Sequence, residues 1–351
     1  MQCGLFYQLP CAPEQEAMTR YQETLEQIVY ADALGFDIAW LAELHFYQPF
    51  SILSSPLILA AALAQRTQRI RLGTAVALLP LQHPVRVAED AATVDLLSQG
   101  RLELGVGRGA IAIHFQGFNI PVEESRERFE EALTIIERAW TEETCAFTGK
   151  YWQVADTSVV PKPLQRPHPP LRLAANSPET AAFAGVHGYP VFVASVINPV
   201  PKLLEQIDLY HHAFRAAEHA GKQANVAAMF PVYVADSAAH VRLEVEASVM
   251  SYFRTVSAQL RLGERDSSPS YAYLREVRQR MEVITWEEAE ATMALYGSPK
   301  QCVEKLQAAH RRCEMDQVIC WFNPGGLVPH RRVMASMQRF AEEVMPAVRG
   351  L

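Results

Sequence analysis

No C-x-x-C pair, no two histidines at zinc-ligand spacing and no uninterrupted apolar run of bilayer length occur in this 351-residue sequence. Its six cysteines, Cys3, Cys11, Cys145, Cys302, Cys313 and Cys320, are scattered. That scatter speaks against a zinc site and for reduced thiols in a cytosolic protein. The longest apolar stretch, Ile52–Leu63, is broken by Ser54, Ser55 and Pro56 and cannot cross a membrane. Met1–Pro10 has no basic segment ahead of an apolar one, so no export signal is expected and a soluble, cytoplasmic protein is. Positive charge is in short supply: 32 Lys and Arg stand against 39 Asp and Glu, a net charge of −7. Nucleic acid and anionic membrane surfaces are thereby poor partners, because both need cations to offset phosphate. Neither G-x-S-x-G nor H-E-x-x-H is present, which removes the commonest hydrolase arrangements.

What is present is apolar residues, 49% of the chain, with 20% charged, enough for a large core. Short β-rich runs alternate with longer segments of helical period. The expected strands are Gly4–Gln8, Asp37–Ala42, Ile70–Leu79, Leu102–Val106, Leu171–Ala174, Pro190–Ala194, Val226–Ala235 and Gln317–Phe322. Eight strands in alternation with helices predict an α/β fold, a single (β/α)8 TIM barrel over residues 1–351. Two stretches exceed a minimal barrel. Residues 146–170 are turn-rich and end in PKPLQRPHPP, where prolines force an extended path. Residues 255–295, between the seventh and eighth strands, include the polar Gly263–Ser270 and are expected to form a mobile insertion or lid.

In such a barrel, chemistry sits at the C-terminal strand ends and the loops that follow. The second strand runs into Glu43-Leu44-His45-Phe46. Alternation in an extended segment puts Glu43 and His45 on one side, and a carboxylate beside an imidazole is a common acid/base arrangement. The fourth strand ends in Gly105-Val106-Gly107-Arg108-Gly109-Ala110. This formally matches a dinucleotide fingerprint, but it follows the fourth strand and leads into the loop-like Ile111–Ile120 with no immediate crossover helix, so that reading fails. Its glycines instead suit close approach of backbone to a ligand, and Arg108 suits phosphate oxygens. After the fifth strand, Asn176, Ser177 and Thr180 surround a helix start, a natural anion site. With Arg108 from the neighbouring strand end they form a candidate two-sided phosphate clamp. His211-His212 lack a metal-spaced partner, so no metal is expected.

The runs GFDIAWLAELHF, RIRLGTAVALLPLQHPVRVAEDAATVDLLSQGRLELGVGRG and ESRERFEEAL, with GSPKQCVEKL and MASMQRFAEEVMPAVR near the C-terminus, resemble the bacterial luciferase-like flavin monooxygenases. The resemblance implies FMN phosphate binding by Arg108, Ser177 and Thr180, with Asn176 where luciferase has Glu. It also implies a non-prolyl cis bond between Ala75 and Val76 beneath the isoalloxazine, and Gly107 near the flavin where luciferase has cysteine. Luciferase carries E-H-H-F at the second strand end, and its first histidine there is the catalytic base. Leu44 takes that place here, so light emission is not expected, and His45, oriented by Glu43, is the candidate for proton transfer. The resemblance implies a two-component monooxygenase that receives FMN as FMNH2 from a separate flavin reductase, acts on a small molecule with O2, and pairs as a homodimer. Its alternatives are a deazaflavin-dependent hydride-transfer enzyme and a non-catalytic flavin-binding protein.

Overall fold

Runs rich in Val, Ile, Leu, Phe and Ala form eight strands that close into one parallel ring in a computed structural model, which describes residues 1–219, 221–262 and 272–351. The strands are β1 Gln2–Tyr7, β2 Ile38–Leu41, β3 Arg71–Thr74, β4 Leu102–Gly107, β5 Leu171–Ala174, β6 Val191–Ala194, β7 Val226–Val234 and β8 Gln317–Trp321. Each pairs with the next in parallel, and β8 returns to β1 with Cys3 opposite Val318. The expected closed barrel is therefore the architecture found. Around it lie α1 Ala17–Leu34, α2 Pro56–Ala64, α3 Pro84–Leu97, α4 Ala112–Gly117, α5 Ser125–Thr141, α6 Pro178–His187, α7 Val200–Ala216, α8 Ala238–Leu262, α9 Ala272–Val283, α10 Trp286–Thr292, α11 Pro299–Cys313 and α12 His330–Arg339.

Local chemistry sets these limits. α1 stops at Gly35, whose φ of 88° needs no Cβ to be avoided and whose N–H reaches the Ala31 and Asp32 carbonyls. Proline opens α2, α3, α6 and α11, where a missing N–H costs nothing. Ser298 and Gln301 cap α11 reciprocally. Asp32, near the end of α1, accepts the backbone N–H groups of Gln68, Arg69 and Ile70 at 2.7, 3.0 and 2.7 Å. One carboxylate thus pins that helix to the start of β3. Inside the ring, alternate residues Ile38, Trp40, Phe192, Ala227 and Ile319 form their own cluster, while Ala39 and Leu41 join the layer beneath the helices. Trp40 fills this interior and donates its indole N–H to Gln317 at 2.8 Å. Gly73 makes room for it: a Cβ there would lie 2.2 Å from the Trp40 ring.

The structure interrupts the expected third strand and gives form to the two stretches beyond the minimal barrel. The third strand is interrupted: β3 ends at Thr74, and only Ala77–Leu78 pairs again, with β4. The stretch after α5 contains an antiparallel pair, Cys145–Thr148 with Gln153–Thr157, anchored by Glu131, which accepts three successive N–H groups from Lys150 to Trp152. The insertion after β7 is helical where described, through α8, α9 and α10, with Tyr252, Phe253, Val277, Met281 and Trp286 buried. Gly263–Ser270, the centre of the expected lid, lies outside the described residues. No helix among the described residues is long and apolar enough to cross a membrane, and the six cysteines are all buried and free.

Candidate active site

Because all eight strands run the same way, their C-terminal ends meet at one mouth, and a cavity of about 270 Å³ opens there. Every expected cofactor-binding residue borders it: Ala75, Val76, Gly107, Arg108, Asn176, Ser177 and Thr180. The Ala75–Val76 peptide is cis, as the resemblance implies. Val76 packs so closely on β4 that a Cβ on Gly107 would stand 2.5 Å from its Cγ2. Two residues earlier, a Cβ on Gly105 would meet the Thr74 carbonyl oxygen at 1.9 Å, and Thr74 instead donates its hydroxyl to the Gly105 carbonyl at 2.6 Å. The glycines therefore let β4 lie flush against the broken end of β3.

Toward β4 and β5 the cavity is polar. Ser177 caps α6, its Oγ accepting the Thr180 N–H at 3.4 Å and lying 3.0 Å from the Thr180 hydroxyl. Glu179, in the same turn, pairs with Arg126, so its charge is countered where an anion would sit. Asn176 is committed to the scaffold: its Oδ1 accepts the Ala194 N–H at 3.1 Å, and its carbonyl accepts from Asn198 and Gln206. That leaves its side-chain amide nitrogen for a ligand.

Toward β1, β2 and β8 the wall turns aromatic. Phe6 meets Trp321 edge-on at 5.1 Å, Trp321 meets Tyr252 at 4.7 Å, and Phe50 stacks near Tyr252 at 6.3 Å. The expected Glu43–His45 contact is present, His45 Nε2 to Glu43 Oε1 at 3.0 Å. Glu43 is buried and also accepts from Gln82 and the Leu78 N–H. Glu43 and Leu44 border the cavity, whereas His45 stands behind them. A second imidazole, which the sequence did not single out, does border it: His114 on α4. Only 2% exposed, it accepts the His45 backbone N–H at 3.1 Å through Nε2. Burial and the nearby His45 ring hold its pKa down at about 4. Its segment, Ile111–Ile120, reads as a loop because six helical residues are too few to show a period. Among the described residues no cluster could hold a metal ion.

Residues 1–313 match the luciferase-like monooxygenase family. The chain belongs to that family. It is accordingly an enzyme of the flavin-dependent monooxygenase and oxidoreductase kind. The oxygenase component of the flavin-dependent trigonelline monooxygenase of Acinetobacter baylyi is 27% identical to this luciferase-like chain over 99% of it and 95% of the relative. Among solved structures, monooxygenase RslO1 from Streptomyces bottropensis superimposes with a TM-score of 0.83 at 25% identity, covering 99% of both chains. The oxygenating constituent of 3,6-diketocamphane monooxygenase from Pseudomonas putida, in complex with FMN, gives 0.80 at 21% identity over 99% and 98%. An F420-dependent secondary alcohol dehydrogenase gives 0.73 at 18% identity over 99% of both chains. These last two likenesses concern the fold shared by the luciferase-like family.

Proposed function

We propose that this enzyme binds reduced FMN across the cavity and uses O2 to oxidise a small organic substrate. The observation that carries this reading is the meeting of Arg108 with the Ser177-capped start of α6 at one end of a largely apolar cavity. A guanidinium, two hydroxyls and the positive dipole end of a helix suit a phosphate monoester. The cis Ala75–Val76 step and the side-chain-free Gly107 offer a low surface on which a flat ring system can lie. Reduced FMN held there would supply the two electrons with which O2 gives one oxygen atom to the substrate and the other to water. The chain's own residues hold the phosphate, exclude water with Phe6, Phe50, Tyr252 and Trp321, and offer polar groups at Glu43 and His114. Glu43 and His45 are proposed to serve proton handling as a pair, with His45 acting through Glu43 or His114 because it does not border the cavity.

The trigonelline relative is named as an oxygenase component, which supports a separate reductase that delivers FMNH2. A cytoplasmic homodimer is proposed with it. The test is to mix the protein with reduced FMN and a panel of small ketones, aldehydes and N-heterocycles under 18O2. One labelled oxygen atom is expected in a product, with O2 consumed faster than reduced FMN alone consumes it. Product formed from reduced F420 without label would replace this reading by hydride transfer. Tight flavin binding without any product would leave a flavin carrier.

A further inference from the structure

We propose that His114 is the imidazole this cavity presents to its substrate, as a neutral hydrogen-bond donor to a carbonyl oxygen; the proposal rests on the oxygenase reading above. At the end of β2 the side chain that borders the cavity is Leu44, and His45 is turned back onto Glu43. His114 reaches the same space from α4, across the mouth of the barrel. Its Nε2 accepts the His45 backbone N–H, and a nitrogen that accepts carries no proton. The single proton of the neutral ring is therefore on Nδ1. Among the described residues no acceptor engages Nδ1, so this N–H is the polar group that His114 has left to offer.

The ionisable groups around it keep that state. Glu43 and His45 approach from the end of β2, Arg108 from the end of β4, Tyr252 from α8 and Tyr273 from α9. The carboxylate of Glu43 is engaged by His45, Gln82 and Leu78, and His45 and Arg108 add positive charge or none. Both influences, like burial, disfavour a proton on Nε2. The remaining wall near β1, β2 and β8 is Phe6, Leu44, Phe50, Tyr252 and Trp321. Such a wall suits a neutral, largely apolar molecule whose recognition depends on a few donors. The Tyr252 hydroxyl has no hydrogen-bond partner among the described residues, and burial pushes its pKa up, so it stays a second donor. Two neutral donors suit an oxygen acceptor. A donor aimed at a carbonyl oxygen strengthens as negative charge grows there during addition to the carbonyl carbon.

Two measurements test this. Nitrogen-15 spectra of histidine-labelled protein with FMN added, assigned with His114→Gln, should show His114 as the neutral Nδ1–H tautomer from about pH 5.5 to about pH 8. An imidazolium or an Nε2–H tautomer in that range overturns the proposal. The second titrates acetophenone and α-methylstyrene, which share a shape and differ in the carbonyl oxygen. Wild type should prefer the ketone about tenfold, the worth of one good hydrogen bond. His114→Phe should lose most of the preference, with the Tyr252 hydroxyl keeping the remainder, and His114→Asn should restore part of it. No preference in the wild type, or a full preference in His114→Phe, overturns it. Failure of the wild type to bind FMN would instead count against the oxygenase reading.

Discussion

At the end of β2, extended-chain alternation places the Glu43 carboxylate and the His45 imidazole on one side, and the structure finds them 3.0 Å apart. What alternation does not say is which of them faces the cavity. That depends on Gln82 and Leu78, which hold Glu43 at the wall, and on His114, whose ring occupies the space beside His45. The residues proposed to hold phosphate stand out in the sequence because strand ends and a helix cap carry local signals. His114 was not, because its role arises from a contact between segments 69 residues apart. Long-range pairing also decides Asp32. Burial raises its pKa, but the N–H groups of Gln68, Ile70 and Arg69 and the Arg69 charge outweigh that and hold it below the usual range. A depressed folded pKa contributes stability above the unfolded value, and this is lost as pH falls through the folded one. Asp32→Asn should therefore cost about 1–3 kcal/mol near neutrality. The gap to wild type should close below roughly pH 4, as read by denaturant unfolding at both pH values. A gap that is unchanged in acid would contradict the charge-based account of this tie.

Strands buried on both faces announce themselves as short runs of branched and aliphatic residues, which is why all eight barrel strands were legible. The elements that escaped are of another sort. α4 is shorter than two turns, and the hairpin after α5 is exposed and polar along most of Gln153–Thr157, so neither carries a period. α9 and α10 follow a polar stretch that masks their amphipathic spacing. α2 and α3 pose the reverse case, with more apolar surface than the barrel covers. They pack on each other and leave Ile58 73%, Leu96 42% and Leu97 43% exposed. Exposed apolar side chains on neighbouring helices suit association, and a two-fold pair would cover them with its copy. Sedimentation should give a dimer at micromolar concentration, and Ile58→Lys should shift it to monomer with an unchanged circular dichroism spectrum. A monomeric wild type would remove the dimer.

For the whole molecule, closure of the sheet is what converts scattered sequence segments into one site. It brings Arg108 from the end of β4 and Ser177 and Thr180 from the start of α6 to one side of the mouth, and the aromatic wall of β1, β8 and α8 to the other. In the proposed reading, phosphate held at the first end would place a ring system over Ala75–Val76 and leave the second end for substrate. The direct measurement is anaerobic equilibrium titration of reduced FMN and of reduced riboflavin, which lacks the phosphate, into wild type and Arg108→Ala. Wild type should bind reduced FMN more tightly than reduced riboflavin. Arg108→Ala should lose about 1.5–3 kcal/mol toward FMN and almost nothing toward riboflavin. Equal affinity of the wild type for the two flavins, or an Arg108→Ala protein that binds FMN as well as wild type does, would contradict a phosphate clamp at this mouth.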